Sequence, residues 1–394
     1  LKYISKTVWV LSLVSLFTDI ASEMLYPVLP IYLKSIGYSV LFIGILEGIT
    51  EVVAGYSKGF FGNLSDISGK RVPYVRLGYA LSAISKPLLA IGQIPLVVLL
   101  ARVFDRIGKG VRTGARDAIL SKEATKTSKA RVFGFHRSMD TLGAVLGPSI
   151  ALVYLYFNPQ NYLFLFYLAL LPGLVSIGFT FFLKEKPGQK SEGNQIQVTS
   201  FFSFLSYWKK TNPNYRKLVF GLLVFAFWNS SDVFLILKAK ESGLDDKFVI
   251  GIYIFYNLVY ALFAYPLGIL ADRVGFKKMF LFGLGMFATV YFLMGSNQNP
   301  YLIVFSFFLY GVYASATEGI SKAWISNLVP NLEVGTAIGM FTGLQSVATF
   351  FASSIAGWLW YLFGAPITFL VTGFFSVLVI LYFLFTKITE GLES

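Results

Sequence analysis

The chain has no cysteine and only one histidine, His136, among 394 residues. Without thiols there is no disulfide framework and no thiolate metal site. A single imidazole likewise argues against soft metals. Charge is scarce too: Asp, Glu, Lys and Arg together make up 13%, against roughly 25% in a soluble domain. No Gly-x-x-x-x-Gly-Lys-Ser/Thr loop occurs, so nothing supports ATP-driven pumping by this chain. No serine or cysteine nucleophile arrangement is evident around His136, so an enzyme is not expected.

Apolar length is abundant. Apolar residues make up 56% of the chain and aromatics 18%, and mean hydropathy is strongly positive. Runs of about 20 such residues recur, each long enough for a bilayer core of roughly 30 Å. They fall near 8–33, 40–62, 73–92, 95–118, 132–157 and 161–183, then near 217–238, 248–270, 279–296, 300–325, 335–361 and 366–387. The expected fold is an all-α membrane protein of twelve transmembrane helices. Its one long polar stretch divides it into a first six-helix bundle (1–184), a linker (185–215) and a second bundle (216–394). The first run continues past the length of a signal core, so no cleavable signal is expected.

Lys70, Arg71 and Arg76 lie in the second–third connection, Lys122, Lys126, Lys129 and Arg131 in the fourth–fifth, and Arg273, Lys277 and Lys278 in the eighth–ninth. The linker is basic as well. By the positive-inside rule both termini and the linker face the cytoplasm. The expected location is the cytoplasmic (inner) membrane, and the net charge of +13 reads as contact with anionic lipid headgroups, not nucleic acid.

A short motif occurs twice, about 206 residues apart: Gly62-Asn-Leu-Ser-Asp66-Ile-Ser-Gly69-Lys70-Arg71 and Gly268-Ile-Leu-Ala-Asp272-Arg273-Val-Gly275-Phe-Lys277-Lys278. The duplication extends further. Arg112-Thr-Gly114-Ala-Arg-Asp117-Ala118 aligns without gaps on Thr317-Glu318-Gly319-Ile-Ser-Lys322-Ala323, and Gly134 falls on Gly339. Parallel halves of this kind suit alternating access around a midplane site.

These residues resemble the major facilitator superfamily over essentially the full length, on the side of its proton-coupled drug and small-molecule exporters. Gly62, Asp66, Gly69 and Arg71 resemble the family's cytoplasmic turn motif, with Ile67 where a basic residue is usual. The resemblance implies two six-helix bundles related by pseudo-two-fold symmetry, a working monomer, and gating by Asp66–Arg71 and Asp272–Lys278. Arg106-Ile-Gly-Lys-Gly110 resembles the Arg-x-x-x-Gly motif associated with proton coupling. Gly143-Ala-Val-Leu-Gly147-Pro148 resembles the motif of proton-driven exporters, with Ala151 and Leu152 where two glycines are often found. Independently of family, small residues four apart let helices approach closely and Pro148 kinks its helix; ordinary packing explains that spacing equally well.

The candidate chemistry lies in charges at membrane depth, which are costly unless paired or functional. Asp19 and Glu23 share one face of the first helix, and Glu47 and Glu51 one face of the second, with Lys58 two turns on. Helix 4 carries Asp105, Lys109, Arg112 and Arg116 on one face and Arg102 and Arg106 on another; snorkelling is the plain reading for Arg112 and Arg116. His136 and Asp140 are four apart on helix 5, where the histidine is either a titrating group or a structural cap. Asp19, Glu23, Glu47, Glu51, Asp105, Arg106, His136 and Asp140 are the candidate proton-coupling residues.

The second half is quieter. Trp228, Asp232, Tyr256, Asn257, Glu318 and Gln345 join Lys58, Lys109 and Arg112 as candidate substrate-binding residues, although Glu318 and Lys322 could satisfy each other. The leading functional reading is proton-coupled antiport, in the efflux direction, of a small organic or amphipathic compound. Proton-linked transport of an organic anion drawn by Arg106, Lys109 and Arg112 is one alternative. Export of a hard divalent ion by Asp19, Glu23, Glu47 and Glu51 is another. A non-transporting receptor belongs to a different class, and tight binding of a soluble partner without transport would mark it. No cofactor is expected, the proton gradient being the energy source.

Overall fold

A computed structural model describes residues 4–26, 28–38, 40–91, 94–159, 161–184, 203–244 and 246–388. The side chain of Glu47 and most of the expected linker, 185–202, lie outside the described residues. Helices run α1 (Lys6–Leu25), α2 (Leu29–Ser35), α3 (Val40–Ser68), α4 (Val72–Ile91), α5 (Pro95–Glu123), α6 (Lys129–Phe157), α7 (Tyr162–Leu168), α8 (Leu170–Thr180), α9 (Tyr207–Lys210), α10 (Pro213–Trp228), α11 (Val233–Glu241), α12 (Asp246–Val274), α13 (Phe276–Ser296), α14 (Pro300–Asn327) and α15 (Val334–Phe385).

Local chemistry sets the boundaries. Asn212 and Asn299 accept from backbone N–H groups at the starts of α10 and α14, each followed by proline at the first helical position. Gly69 and Gly275 take positive φ (65° and 95°) between α3 and α4 and between α12 and α13, a conformation that costs glycine little. Gly364, at φ 79°, breaks α15 into two passes. Counting α1 with α2, α7 with α8 and α10 with α11, the described helices make the twelve expected crossings. Three expected single helices are divided: 8–33 breaks after Leu25, 161–183 at Ala169, and 217–238 between Trp228 and Val233. Among the described residues, eight helical stretches are long and apolar enough to cross a bilayer on those grounds alone.

Two compact units result. The first comprises 1–123, 139–210 and 330–343; the second comprises 124–138, 211–329 and 344–394. In the first, α4 and α5 meet backbone to backbone: a Cβ on Gly78 would fall 2.6 Å from the Gly108 carbonyl oxygen, and one on Gly108 the same distance from that of Gly78. Such approaches matter in lipid, where helices associate by close packing and not by hydrophobic burial. The segment leading into α9 docks on α3, with the buried Phe204 ring over Gly59 and the Tyr207 hydroxyl donating to Glu333 at 2.9 Å. The second unit has an aromatic core. Phe287 stacks on Tyr291 at 4.2 Å, Phe225 meets Phe287 edge-on at 4.9 Å, and Phe280 meets Phe383 at 5.2 Å. Each pair adds about 0.5–1.5 kcal/mol beyond its buried area.

Candidate functional site

The first unit builds a charged pocket from α1, α4 and α5. Close approach by α6 shapes its α1 wall. A Cβ on Gly143 would lie 2.6 Å from the Leu16 carbonyl oxygen and 2.8 Å from Asp19 Cβ. One on Gly147 would lie 2.7 Å from both the Ile20 carbonyl oxygen and the Met24 nitrogen. This seam brings Asp140 to α1, where Ser15 Oγ donates to its carboxylate and the Asp19 carboxyl group is its electrostatic neighbour. Neighbouring carboxylates out of water repel each other, and one proton shared between them would relieve that repulsion.

The cations come from α4 and α5. Lys86 Nζ lies 2.7 Å from Asp105 Oδ1, with both side chains largely out of solvent. A Cβ on Gly110 would run into Ser57 of α3, and this tight crossing holds Arg106 3.3 Å from Glu51. Arg112 is 5% exposed. It donates to the Ser82 hydroxyl and lies 4.5 Å over the Tyr79 ring, with no carboxylate within 4 Å among the described residues. Lys109 is exposed and equally without an ion pair among them. The cavity has a volume of about 40 Å³, and its charged lining is Asp19, Glu23 and Asp105 against Lys86, Arg102, Arg106, Lys109 and Arg112. Positive charge is in excess there.

The repeated motif forms two related clusters. In the first unit, Asp66 accepts from Arg71 at 3.0 Å, from the Thr336 backbone N–H at 2.6 Å and from the Thr336 hydroxyl at 3.0 Å. It thereby satisfies donors at the positive end of α15. In the second unit Asp272 does the same for α6, accepting from the N–H groups of Ala130 and Arg131 at 2.9 and 3.0 Å. The expected Asp272–Lys278 pair is not formed: the cation nearest Asp272 is Arg131 at 3.8 Å, and Lys278 is exposed. Its neighbour Lys277 donates to the carbonyls of Leu384 and Thr386, where the negative end of α15 favours a cation. Glycines close both clusters. Gly62 and Gly114 abut Gly335, and Gly268 and Gly134 abut Ala130 and Ala264.

Other expected residues are spread through the second unit. Asp232 accepts from the Tyr310 hydroxyl at 2.7 Å and also meets that of Tyr256. Trp228 stacks on Phe375 at 3.5 Å, Asn257 donates to the Tyr253 carbonyl at 3.0 Å, and Gln345 is half-buried. Glu318 pairs with Arg137, which also lies over the Tyr260 ring. His136 is buried on α6. Among the described residues no three or more of His, Cys, Asp and Glu form a metal-holding group, and Glu51 is engaged with Arg106. Sequence reasoning missed Lys86, Ser15 and Arg137. The signal for Lys86 was a lone charge inside an apolar run.

An all-helical chain of twelve crossings with a charged interior pocket defines a membrane solute transporter. The Major Facilitator Superfamily model matches residues 11–256 and 221–393, and the chain belongs to that family. It is 32% identical over 369 residues to an uncharacterised MFS-type transporter of Methanocaldococcus jannaschii, covering 91% of this chain and 89% of that protein. A shorter likeness, 28% over 127 residues and 32% of each chain, is to the quinolone resistance protein NorA of Staphylococcus aureus. Among solved structures, the human organic anion transporter MFSD10 superposes with a TM-score of 0.78 at 17% identity, over 96% of this chain and 98% of that one. The E. coli fucose:proton symporter gives 0.78 at 14%, over 98% and 100%.

Proposed function

We propose that this transporter couples proton movement to the passage of a small organic solute, and that the solute's negatively charged group enters the pocket of the first unit. One observation carries the reading: a carboxyl pair suited to holding a single proton, Asp19 with Asp140, stands beside cations, Arg112 and Lys109, that form no ion pair among the described residues. A buried guanidinium without a counter-charge is expensive to keep, and an anionic solute would offset that cost. Proton loss from the Asp19–Asp140 pair places a second negative charge next to the same pocket and weakens anion binding there, so proton and anion favour each other's occupancy through ordinary electrostatics. Glu51, held by Arg106, and Glu23, on the pocket wall, tune that field.

The likeness to NorA supports the outward direction, and that to MFSD10 the anionic charge of the cargo. Asp66 and Asp272 serve as latches in this scheme, each releasing a helix start when its hydrogen bonds open. The test is proton flux in liposomes holding the purified protein, challenged with organic anions, lipophilic cations, neutral solutes and divalent metals, beside Asp19→Asn. Proton movement driven by anions and lost in the variant is the expected result. Coupling to cations or neutral solutes alone would overturn the anion assignment. Solute equilibration without proton movement would overturn coupling.

A further inference from the structure

Asp232 is a carboxylate without a cation partner. Among the described residues no lysine or arginine nitrogen lies within 4 Å of it, and its contacts are the phenol hydroxyls of Tyr310, at 2.7 Å, and Tyr256. It stands where a crossing is interrupted. The last α-helical bond of α10 runs from the Asn229 N–H to the Phe225 carbonyl at 2.9 Å, Asn229 is non-helical (φ −88°, ψ 90°), and helix resumes at Val233. A helix ending there leaves its final carbonyls without the donors a continuing helix would supply, and concentrates partial negative charge at that point.

Asn229 reinforces the pattern. Its Nδ2 donates to the Tyr313 hydroxyl at 3.0 Å, whereas its Oδ1 is buried and accepts no hydrogen bond. A buried polar atom left unpaired is an exception that calls for a cause. The side chains of Asn229 and Asp232 reach one tyrosine cluster: the rings of Tyr310 and Tyr313 are 5.2 Å apart, as are those of Tyr256 and Tyr310. A carboxylate, an amide oxygen without a donor, phenol oxygens, ring faces and a helix C-terminus all attract positive charge.

We propose that the α10–α11 break is a monovalent-cation site, in which Asp232 supplies the charge and Asn229 Oδ1, the tyrosine hydroxyl oxygens and the final carbonyls of α10 supply neutral oxygen ligands. One carboxylate suits a single positive charge better than a divalent ion, which gathers several acidic ligands. Broken membrane helices present freed carbonyls to cations in this manner. The same chemistry accepts either an alkali ion or the ammonium group of an organic molecule, the latter gaining from the tyrosine faces. This site shares no residue with the pocket of the first unit, and the proposal stands whether or not the anion reading holds.

The experiment is thermal unfolding of the full chain in detergent, followed by intrinsic fluorescence. Sodium, potassium, methylammonium and N-methyl-D-glucamine chlorides are titrated at constant ionic strength. A ligand that binds only the folded protein raises its unfolding temperature saturably. The expected result is such a rise with an alkali ion, with methylammonium or with both, and a half-saturating concentration at least about tenfold higher in Asp232→Asn, the mark of a lost charge contact. A response to sodium or potassium alone assigns an alkali ion; a response to methylammonium alone assigns an organic ammonium. Identical curves in all four salts overturn the proposal, as does an undiminished response in Asp232→Asn. If that variant does not fold, Tyr310→Phe removes one hydroxyl with little loss of packing and is expected to weaken the response several-fold; an unchanged response there overturns the proposal.

Discussion

Replacing Asp105 by asparagine should destabilise the chain far more than removing both members of its ion pair. Lys86 Nζ and Asp105 Oδ1 are 2.7 Å apart, with side chains 4% and 13% exposed. At that separation the Coulomb attraction is about 6 kcal/mol for an effective dielectric constant near 20. Desolvation of the two ions costs several kcal/mol each, so the pair as a whole contributes little net stability. Asp105→Asn alone leaves the Lys86 ammonium buried without its counter-charge, and breaking a pair this way costs about 3–5 kcal/mol. Lys86→Met with Asp105→Leu removes both charges together and should return to within about 1 kcal/mol of the parent. A double-mutant cycle measured by unfolding in mixed detergent and SDS micelles reads the coupling directly. Equal losses in Asp105→Asn and in the double variant, or a single-variant loss below about 1 kcal/mol, would refute the account.

Asp19→Asn should abolish proton flux while a labelled anion still binds, because the cations on α5 are untouched; persisting parental flux would remove Asp19 from coupling. Asp66→Ala leaves the Thr336 N–H without its acceptor, at a cost of about 1–3 kcal/mol. Amide exchange at the start of α15 should then accelerate by roughly 5- to 150-fold, with unchanged exchange counting against the latch. Gly110→Val forces a side chain onto Ser57 and should cost about 1–3 kcal/mol through overpacking; transport should fall as Arg106 is drawn from Glu51, and unaltered transport would contradict the role given to that crossing.

Most of the fold was legible because lipid imposes a coarse rule: every crossing must be long, apolar and internally hydrogen-bonded. That rule yields the number of crossings but not their interruptions. The breaks after Leu25 and Trp228 lie inside runs that remain apolar, so hydropathy passes over them. The acidic residues of α1 and the cations of α5 were legible as charges at depth, yet their partners were not, since partnership depends on which helices touch. Asp140 meets Asp19 because Gly143 and Gly147 let α6 come close, a contact that helix spacing on either element cannot forecast. Lys278 was paired with Asp272 by proximity along the chain, whereas Asp272 caps a helix distant in sequence, and its neighbour Lys277 caps another. Lys86 escaped notice because one ammonium barely alters the hydropathy of twenty residues, although it neutralises a pocket carboxylate.

The glycines at the two motif clusters have a kinetic consequence. Where Gly62, Gly114 and Gly335 meet, and again where Gly134 and Gly268 meet their neighbours, the touching surfaces are largely main chain. Glycine has no rotamers to freeze when such a seam shuts or to release when it opens. If the seams part as the latch proposal requires, separation need not wait for interlocked side chains to disengage, and the barrier lies in hydrogen bonds such as those at Asp66 and Asp272 and from Arg71 and Lys129 to facing carbonyls. A contact of this kind behaves less like a packed core than like a clasp: weak enough to cycle, and specific because a single added methyl group would keep it from shutting.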